Sequence, residues 1–389
     1  MSGPTEASDI RRVDCDIHPI FSGGLRDLSP YLTDDWLARF GMKGPVETDQ
    51  FGGKREATVE TPRSLFYFPV TGAFRKDAVP PSGGLPGSDP AFLAEHHLDA
   101  HGIDRGLLLG QNMLTVGAYP QADHATALAS AYNDWIEERW LESDSRYRGT
   151  IVVATQDPEA AAAEVRRCAE RCDRWVGVML SLQNAMMGDS LYHPIYAEAE
   201  RQGIPVCVHI SGIEGAFPQA PPLPAGVPGS YFEVKTIYTT VYQANLVSMV
   251  GRGTFERFPN LKVAMVECGI GWLPEILWRM DTNWKALREE TPWVKKLPSE
   301  YVYDHVRFTS QPFIEPPQAK QIRDFCEMIQ VERILMFASD YPHYDFDDPT
   351  RTLIQIPKEA RRAVEAETAL DFFGERLRHP GPVPAAAGV

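Results

Sequence analysis

Two short strings near opposite ends of the chain carry residues that are suited to binding a metal ion. Asp16-Ile17-His18 closes an early apolar run, and Ser339-Asp340-Tyr341-Pro342-His343 closes a late one. Successive side chains of a strand point to opposite faces, so Asp16 and His18, two positions apart, leave by the same face and can meet one cation. The two strings therefore predict the first and last strands of one barrel, with metal ligands at its mouth.

Composition and charge exclude several classes of partner. The chain has 389 residues, of which 43% are hydrophobic, and a formal net charge of −15. This negative charge repels nucleic acid and anionic membranes, so we expect a small-molecule substrate and neither of those partners. No apolar run approaches the ~20 residues of a membrane span, and the N-terminal string MSGPTEASDIRR lacks the hydrophobic core of a signal peptide. We therefore predict a cytoplasmic protein, whose six scattered cysteines are reduced.

Short apolar runs alternate with helical stretches along the chain. Runs with the length of a buried parallel strand lie at 13–18, 104–110, 148–154, 175–180, 205–210, 261–266, 305–309 and 333–338. Stretches with helical spacing lie at 122–142, 158–172, 190–202, 232–251, 272–290 and 316–328. An eightfold β/α alternation predicts an α/β protein, a (β/α)8 TIM barrel that forms one domain over residues 1–389.

Residues 20–90 interrupt this alternation after the first strand. They are rich in Gly and Pro, contain aromatic residues such as Trp36 and Phe66, and are too long for an ordinary loop. We predict that they form a cap over the barrel mouth. The proline-rich loop 211–230, after the fifth strand, is expected to lie beside the same mouth. An ordinary surface loop or an oligomer contact is the alternative.

Several longer strings resemble a known family. The strings DCDIHP, GIPVCVHISG, RFPNLKVAMVECGIGWLPEILWRMD and RILMFASDYPHYDFDDP resemble the amidohydrolase-related family, in the branch that includes aminocarboxymuconate-semialdehyde decarboxylase. The resemblance extends from residue 13 to about residue 350, with the strings in the order of the family. It implies a TIM barrel with one divalent metal, commonly zinc, at the C-terminal ends of strands one, five and eight. A homodimer is also expected for a barrel of this family.

The resemblance maps four metal ligands onto this chain: Asp16, His18, His209 and Asp340. Such imidazole and carboxylate ligands accept zinc readily, with manganese or iron as alternatives, and a catalytic site leaves one position for water or substrate. Taken singly, each residue has an ordinary explanation as a turn cap or a hydrogen-bonded core residue. Four of them at strand ends favour a metal site, because the chemistry of TIM barrels lies at that face.

Glu267 departs from the pattern of the family. Relatives that decarboxylate aromatic acids commonly have a histidine after the sixth strand, and a Glu or His where this chain has Asp16. The Glu267 carboxylate could accept a proton from a metal-bound water, bind the metal, or form a salt bridge to an arginine inside the mouth. If it is a base, hydrolysis becomes more natural than decarboxylation.

Three further residues are candidates for contact with the substrate. His343 could donate a hydrogen bond to a substrate carboxylate or transfer a proton, and the alternative is a hydrogen bond to Asp345 or Asp347. Trp272 could form an apolar wall of the site or, equally, pack a helix on the core. Arg307 could supply positive charge to an anionic substrate. The remaining clustered histidines are interpreted as surface or capping residues: His96, His97 and His101.

Two reactions fit this predicted site. In hydrolysis, the metal lowers the pKa of bound water toward ~7, Asp340 or Glu267 accepts its proton, and hydroxide attacks a C–N, C–O or activated C–C bond of a small cyclic or aromatic substrate. In decarboxylation, the metal binds the carboxylate of a small aromatic or unsaturated acid, and Asp340 protonates the carbon that loses carbon dioxide. Because of Glu267, we predict a metal-dependent hydrolase. A non-oxidative carboxy-lyase is the alternative, and a catalytically inactive metal-binding relative is the second alternative.

Overall fold

The computed structural model describes residues 10–43, 74–215, 217–224, 226–313, 316 and 318–380. It also describes the backbone of two short antiparallel strands, Glu47–Thr48 and Lys54–Arg55.

Eight parallel strands form a barrel in the order of the sequence. Their bounds are β1 Val13–Ile17, β2 Arg105–Leu108, β3 Tyr147–Val153, β4 Trp175–Ser181, β5 Val206–His209, β6 Val263–Met265, β7 Val306–Thr309 and β8 Leu335–Met336. Backbone contacts between β1 and the segment after β8 bring the two ends of the sheet together. Cys15 N–H donates to Phe337 O at 3.0 Å, and His18 N–H donates to Tyr341 O at 2.8 Å. The predicted TIM barrel is confirmed.

Helices follow the strands, as the spacing predicts. The predicted helices have the bounds Ala122–Ile136, Pro158–Arg171, His193–Gln202, Tyr231–Ile237, Thr239–Gly251, Leu273–Leu287 and Ala319–Met328. Shorter helices, which the sequence did not indicate, are Asp34–Arg39, Pro90–Leu93, Thr254–Arg257, Pro298–His305, Val331–Ile334, Pro349–Gln355, Lys358–Arg362, Thr368–Phe373 and Glu375–Arg378. A π-helix, Ala94–Asp99, continues the helix Pro90–Leu93. No helix in the described part of the chain has the length and apolar character needed to cross a membrane.

The strands are buried because the barrel interior covers one face and the helices cover the other. Every strand residue except Arg307 is buried. Branched and aromatic side chains, among them Val178, Val208 and Trp175, make one continuous core. Polar side chains that lie beyond the C-terminal ends of the strands are therefore held on a rigid frame.

The predicted cap, residues 20–90, falls partly outside the described residues; the parts outside are 44–46, 49–53 and 56–73. At its described ends, Ile20 N–H donates to Gly87 O at 2.8 Å. Phe74 stacks on His343 with 5.3 Å between ring centroids and 10° between ring planes. These contacts bring residue 74 to the segment after β8, and a cap over the whole mouth stays a prediction.

Candidate metal centre

The C-terminal ends of β1 and β5 and the segment after β8 bring the four predicted ligands together. Asp16 Oδ1 lies 3.2 Å from His18 Nε2, and Asp16 Oδ2 lies 3.5 Å from His209 Nε2. His18 Nε2 also lies 2.9 Å from Asp340 Oδ1. All four side chains are at most 1% exposed. We call these four residues the ligand cluster.

The ligand cluster contains buried polar atoms without a hydrogen-bond partner among the described residues. These atoms are both carboxylate oxygens of Asp16, Oδ2 of Asp340, and Nε2 of His18 and of His209. Leaving buried carboxylate oxygens without donors is costly, whereas a cation surrounded by such oxygens and imidazole nitrogens satisfies all of them. The donor set therefore fits a divalent metal ion.

The two histidines are oriented by backbone carbonyls. His18 Nδ1 donates to Leu109 O at 3.1 Å, and His209 Nδ1 donates to Ile210 O at 2.6 Å. Because a carbonyl oxygen only accepts, Nδ1 carries the proton of the neutral ring and Nε2 presents its lone pair to the cluster. A hydrogen bond of this kind orients metal-binding histidines in proteins.

The electrostatics of the ligand cluster favour a positive charge. Burial lowers the pKa of His209, but the carboxylates of Asp16 and Glu267 raise it more, to about 9. The carboxylates thus create a negative potential that draws a proton onto a buried imidazole, and a bound cation would replace that proton.

Two residues of the site have a strained backbone. Asp340 has a φ of 62° and Glu267 a φ of 50°, in the left-handed region that residues other than Gly seldom adopt, although Asp adopts it more readily than Glu. Such strain persists only where the surroundings hold it, and it concentrates at functional sites.

His343 is hydrogen-bonded to Asp340. His343 Nδ1 lies 2.5 Å from Asp340 Oδ1, so the partner is neither Asp345 nor Asp347, the residues considered from the sequence. Burial lowers the pKa of His343, but the Asp340 carboxylate raises it above its ordinary value. Burial likewise raises the pKa of Asp340, but His343 and His18 hold it well below its usual range. The pair therefore holds a proton on the imidazole, next to a carboxylate that can accept it.

Glu267 is paired with a lysine that our sequence analysis missed. Lys235 Nζ lies 2.7 Å from Glu267 Oε1 and 3.1 Å from Asp345 Oδ2. The other carboxylate oxygen, Glu267 Oε2, lies 3.4 Å from His209 Nε2. Burial lowers the pKa of Lys235, but the carboxylates of Glu267 and Asp345 raise it well above its ordinary value, so the ammonium stays charged. A salt bridge was one of the three alternatives for Glu267, and its partner is a lysine rather than an arginine.

A signal for Lys235 was present in the sequence. It is the only Lys or Arg between Arg201 and Arg252, a stretch that contains the fifth strand and the loop after it. A single cation in the segment between a ligand-bearing strand and the next strand is a candidate for the site, because the chemistry of TIM barrels lies in the connections that follow the strands.

The structure does not bring Arg307 to the ligand cluster, which corrects the prediction of a positive centre there. The Arg307 guanidinium donates to Tyr303 O at 2.9 Å and to Val306 O at 2.8 Å, and it lies 5.6 Å from the Phe372 ring. Arg307 is the second residue of β7, so its side chain leaves near the N-terminal end of the barrel. Lys235, by contrast, lies at the C-terminal end of the barrel, next to Glu267.

Trp272 packs beside the strand ends. Its indole Nε1 donates to Cys268 O at 3.0 Å, and its ring meets Phe308 edge to face with 5.9 Å between centroids. These contacts explain the residue as part of helix packing, and its role as a wall for the substrate stays a prediction.

The interpretation of His97 as a surface or capping residue was wrong. His97 is fully buried, and its Nε2 lies 2.8 Å from Asp14 Oδ2. His96 and His101 are half-buried.

Comparisons with known proteins agree with the fold and the family. A family model described as Amidohydrolase matches residues 13–374. A gamma-resorcylate decarboxylase of Rhodococcus jostii (strain RHA1) is 25% identical over 261 residues, which are 63% of this chain and 75% of the relative. A 2-amino-3-carboxymuconate-6-semialdehyde decarboxylase of Dictyostelium discoideum is 25% identical over 267 residues, 66% of this chain and 69% of the relative.

A solved structure of a dihydroxybenzoic acid decarboxylase from Polaromonas sp. JS666, with bound manganese and the inhibitor 2-nitroresorcinol, shares the fold. It covers 93% of this chain and 96% of its own, with a TM-score of 0.61 and 17% identity. The family model spans the whole barrel from β1 to the helices after β8, and the resemblance noted in the sequence is confirmed. The chain therefore belongs to the amidohydrolase family and is an enzyme of the amidohydrolase superfamily.

Proposed function

We propose that this protein is a metal-dependent, non-oxidative decarboxylase of a small aromatic acid. The observation that carries the proposal is the ion pair between Lys235 and Glu267, at 2.7 Å. Glu267 was the reason to predict hydrolysis, and an ion-paired carboxylate is a weak candidate for the base that hydrolysis requires. The pair formed by Asp340 of the ligand cluster and its neighbour His343 remains as the proton carrier. Relatives that are decarboxylases, such as the two described above, support the same reaction.

Asp16, His18, His209 and Asp340 would hold one divalent ion. Two imidazoles and two carboxylates suit manganese as well as the zinc expected from the sequence. The ion would supply positive charge that binds the substrate carboxylate with an adjacent oxygen and stabilises negative charge on the ring. Among the described residues Asp340 Oδ2 has no hydrogen-bond partner and would be free to hold the ion, while Oδ1 is engaged by His343.

His343 and Asp340 move the proton. The proton passes from His343 Nδ1 to Asp340 Oδ1 and then to the ring carbon that bears the carboxylate. The bond between that carbon and the carboxylate breaks, its electron pair returns to the ring, and carbon dioxide leaves. One proton enters the product for each carbon dioxide released, and solvent restores the proton to His343. A positioned acid of this kind typically contributes about 10²–10⁴-fold in rate.

Lys235 binds and orients the carboxylic acid substrate at the barrel mouth. An ammonium has three donors, and the carboxylates of Glu267 and Asp345 occupy two of them. The third donor is available to an oxygen of the substrate. In a chain with a formal net charge of −15, a local cation is what an anionic substrate needs in order to enter.

The test is a screen of metal-loaded protein against hydroxylated aromatic acids, with cyclic amides and esters as hydrolase substrates. Mass spectrometry is expected to show loss of carbon dioxide, and the product made in D2O is expected to carry one deuterium on the ring. His343→Gln should lower the rate about 100-fold or more while metal content is retained. His193→Gln, at a half-buried histidine of a remote helix start, is the matched control. Gain of water without loss of carbon dioxide would overturn the proposal.

A further inference from the structure

Three buried residues lie directly behind the ligand cluster: Asp14, His97 and Ser339, which we call the support network. We propose that the support network positions the carboxylates of Asp16 and Asp340 for metal binding. The proposal rests on the proposed function for the identity of the ligands. None of the three side chains belongs to the ligand cluster, so they are positioning residues that act through other side chains.

Asp14 connects the two ends of the chain. Its Oδ1 accepts from the backbone N–H of Asp16 at 3.2 Å and from that of Ser339 at 2.9 Å. Its Oδ2 accepts from Ser339 Oγ at 2.5 Å and from His97 Nε2 at 2.8 Å. One carboxylate therefore bonds the backbone of the first ligand and of the residue before the last ligand. A change in its position would alter the distance between the two ligand-bearing segments.

Asp14 and Asp16 contrast sharply, although both are fully buried on β1. Asp14 accepts four hydrogen bonds and needs no other partner. Neither oxygen of Asp16 accepts any from the described residues. A buried carboxylate is stable when hydrogen-bond donors or a cation satisfy it, so the two aspartates have different partners. Asp14 is saturated by the protein, and Asp16 is left for the metal.

Ser339 brackets the strained residue Asp340. Ser339 Oγ donates to Asp14 and accepts from the backbone N–H of Tyr341 at 3.2 Å. Asp340 N–H donates to Asp16 O at 3.1 Å. With both neighbours held, Asp340 keeps its φ of 62°, a conformation that persists only when the surroundings impose it. The hydroxyl of Ser339 thus connects Asp14 to the backbone on the far side of Asp340.

His97 ties the network to the helix before β2. It lies on the π-helix Ala94–Asp99, a rare element that is frequent at functional sites. Because a carboxylate oxygen only accepts, His97 Nε2 carries a proton and donates the hydrogen bond to Asp14 Oδ2. The His97 ring also stacks on Tyr341, with 4.5 Å between centroids and 14° between planes. The neighbouring residue His96 also contacts Tyr341, with 2.9 Å between His96 Nδ1 and Tyr341 Oη.

The experiment measures Mn²⁺ binding to the full chain, with the electron paramagnetic resonance spectrum of the bound ion as a second readout. Ser339→Ala is expected to weaken Mn²⁺ binding about 10–100-fold, the usual effect of removing an outer hydrogen bond of a metal site. It should also change the spectrum, because the two carboxylates no longer meet the ion at the native separation. Ser339→Thr keeps the hydroxyl and should restore both readouts.

Ser310→Ala is the matched control. Ser310 Oγ is also fully buried and bonds to the backbone of Ala338, at 3.0 Å from its N and 3.3 Å from its O. Ser310 thus contacts the same segment at Ala338, the residue before Ser339, and it makes no hydrogen bond to Asp14, Asp16 or Asp340. Ser310→Ala is expected to leave Mn²⁺ binding and the spectrum unchanged, whatever it does to stability.

His97→Phe is a second variant, which keeps the stack on Tyr341 and removes the donor to Asp14. It is expected to weaken Mn²⁺ binding in the same direction as Ser339→Ala. Native affinity and spectrum in both variants would overturn the proposal, and so would an equal loss in Ser310→Ala. Absence of Mn²⁺ and Zn²⁺ binding in the wild type would instead overturn the ligand cluster, so the two failures are distinguishable.

Discussion

Lys235 Nζ lies 2.7 Å from Glu267 Oε1, and this contact decides how the site is interpreted. Glu267 stands where a base for hydrolysis was predicted, but its charge is compensated by the half-buried ammonium of Lys235. Its second oxygen lies 3.4 Å from His209 Nε2, so the carboxylate links the cation at the mouth to the ligand cluster. This arrangement is the reason for proposing that the site binds an acid rather than activates water.

Glu267→Gln separates the two reactions. The amide keeps an oxygen that can accept from Lys235, so metal content should stay at the wild-type level and decarboxylation should remain within about tenfold of the wild-type rate. Steady-state kinetics with parallel elemental analysis measures both quantities. A loss of 100-fold or more with the metal retained would show that Glu267 itself takes part in proton transfer.

Lys235→Met should impair binding of the substrate more than the chemical step. Removing the cation leaves the carboxylates of Glu267 and Asp345 facing the mouth, and these repel an anionic acid. We expect KM to rise at least about tenfold, with a smaller change in kcat. Lys262→Met, at a half-buried lysine just before β6, is the matched control and should leave KM unchanged. Equal KM values in the two variants would remove Lys235 from the binding site.

His209→Ala should abolish bound metal and activity together. The imidazole is the only ligand predicted from β5, and its Nε2 faces Asp16 at 3.5 Å. His193→Ala removes a histidine from a helix start away from the cluster and should keep both properties. Inductively coupled plasma mass spectrometry of the purified proteins gives the metal content. Wild-type metal content in His209→Ala would refute the assignment of this ligand.

Metal removal should destabilise the wild type and leave His209→Ala unaffected. The carboxylate oxygens of Asp16 have no hydrogen-bond donor among the described residues, so a bound ion would be their partner in the folded state. A ligand present at 100 times its Kd stabilises a protein by about 2.7 kcal/mol, and a chelator should remove that contribution. Thermal unfolding with and without chelator measures the shift in Tm. The same shift in both proteins would point to a different metal site.

Glu164 should contribute stability that is lost in acid. Burial raises the pKa of Glu164, but hydrogen bonds from Arg167 and Asn133 lower it more, so its pKa in the folded state lies below the usual value. A lowered pKa stabilises the fold above the unfolded-state value of about 4.3 and ceases to do so as the pH falls through the folded-state pKa. Glu164→Gln should therefore cost about 1–2 kcal/mol at pH 7 and less near pH 3. Urea unfolding at the two pH values tests this, and a cost that grows in acid would contradict it.

The sequence by itself determined the barrel and most of the ligand cluster. Each strand of a parallel barrel is a short apolar run, and each helix shows its own period, so eight repeats are visible without any knowledge of distant contacts. The order of the elements then places the ends of strands one, five and eight at one face. The spacing of Asp16 and His18 on one strand face indicated the first pair of ligands, and the resemblance to the family added His209 and Asp340 to the predicted set.

Only the tertiary structure decided which side chains support or complete the cluster. Lys235 and Glu267 are separated by 32 positions, and Asp14 and Ser339 by 325, so no local pattern could pair them. Arg307 and His97 were misplaced for the same reason. Their environments depend on which end of the barrel a side chain reaches and on how a helix packs against β1. Those are properties of packing between distant segments, whereas periodicity reports only on neighbours along the chain.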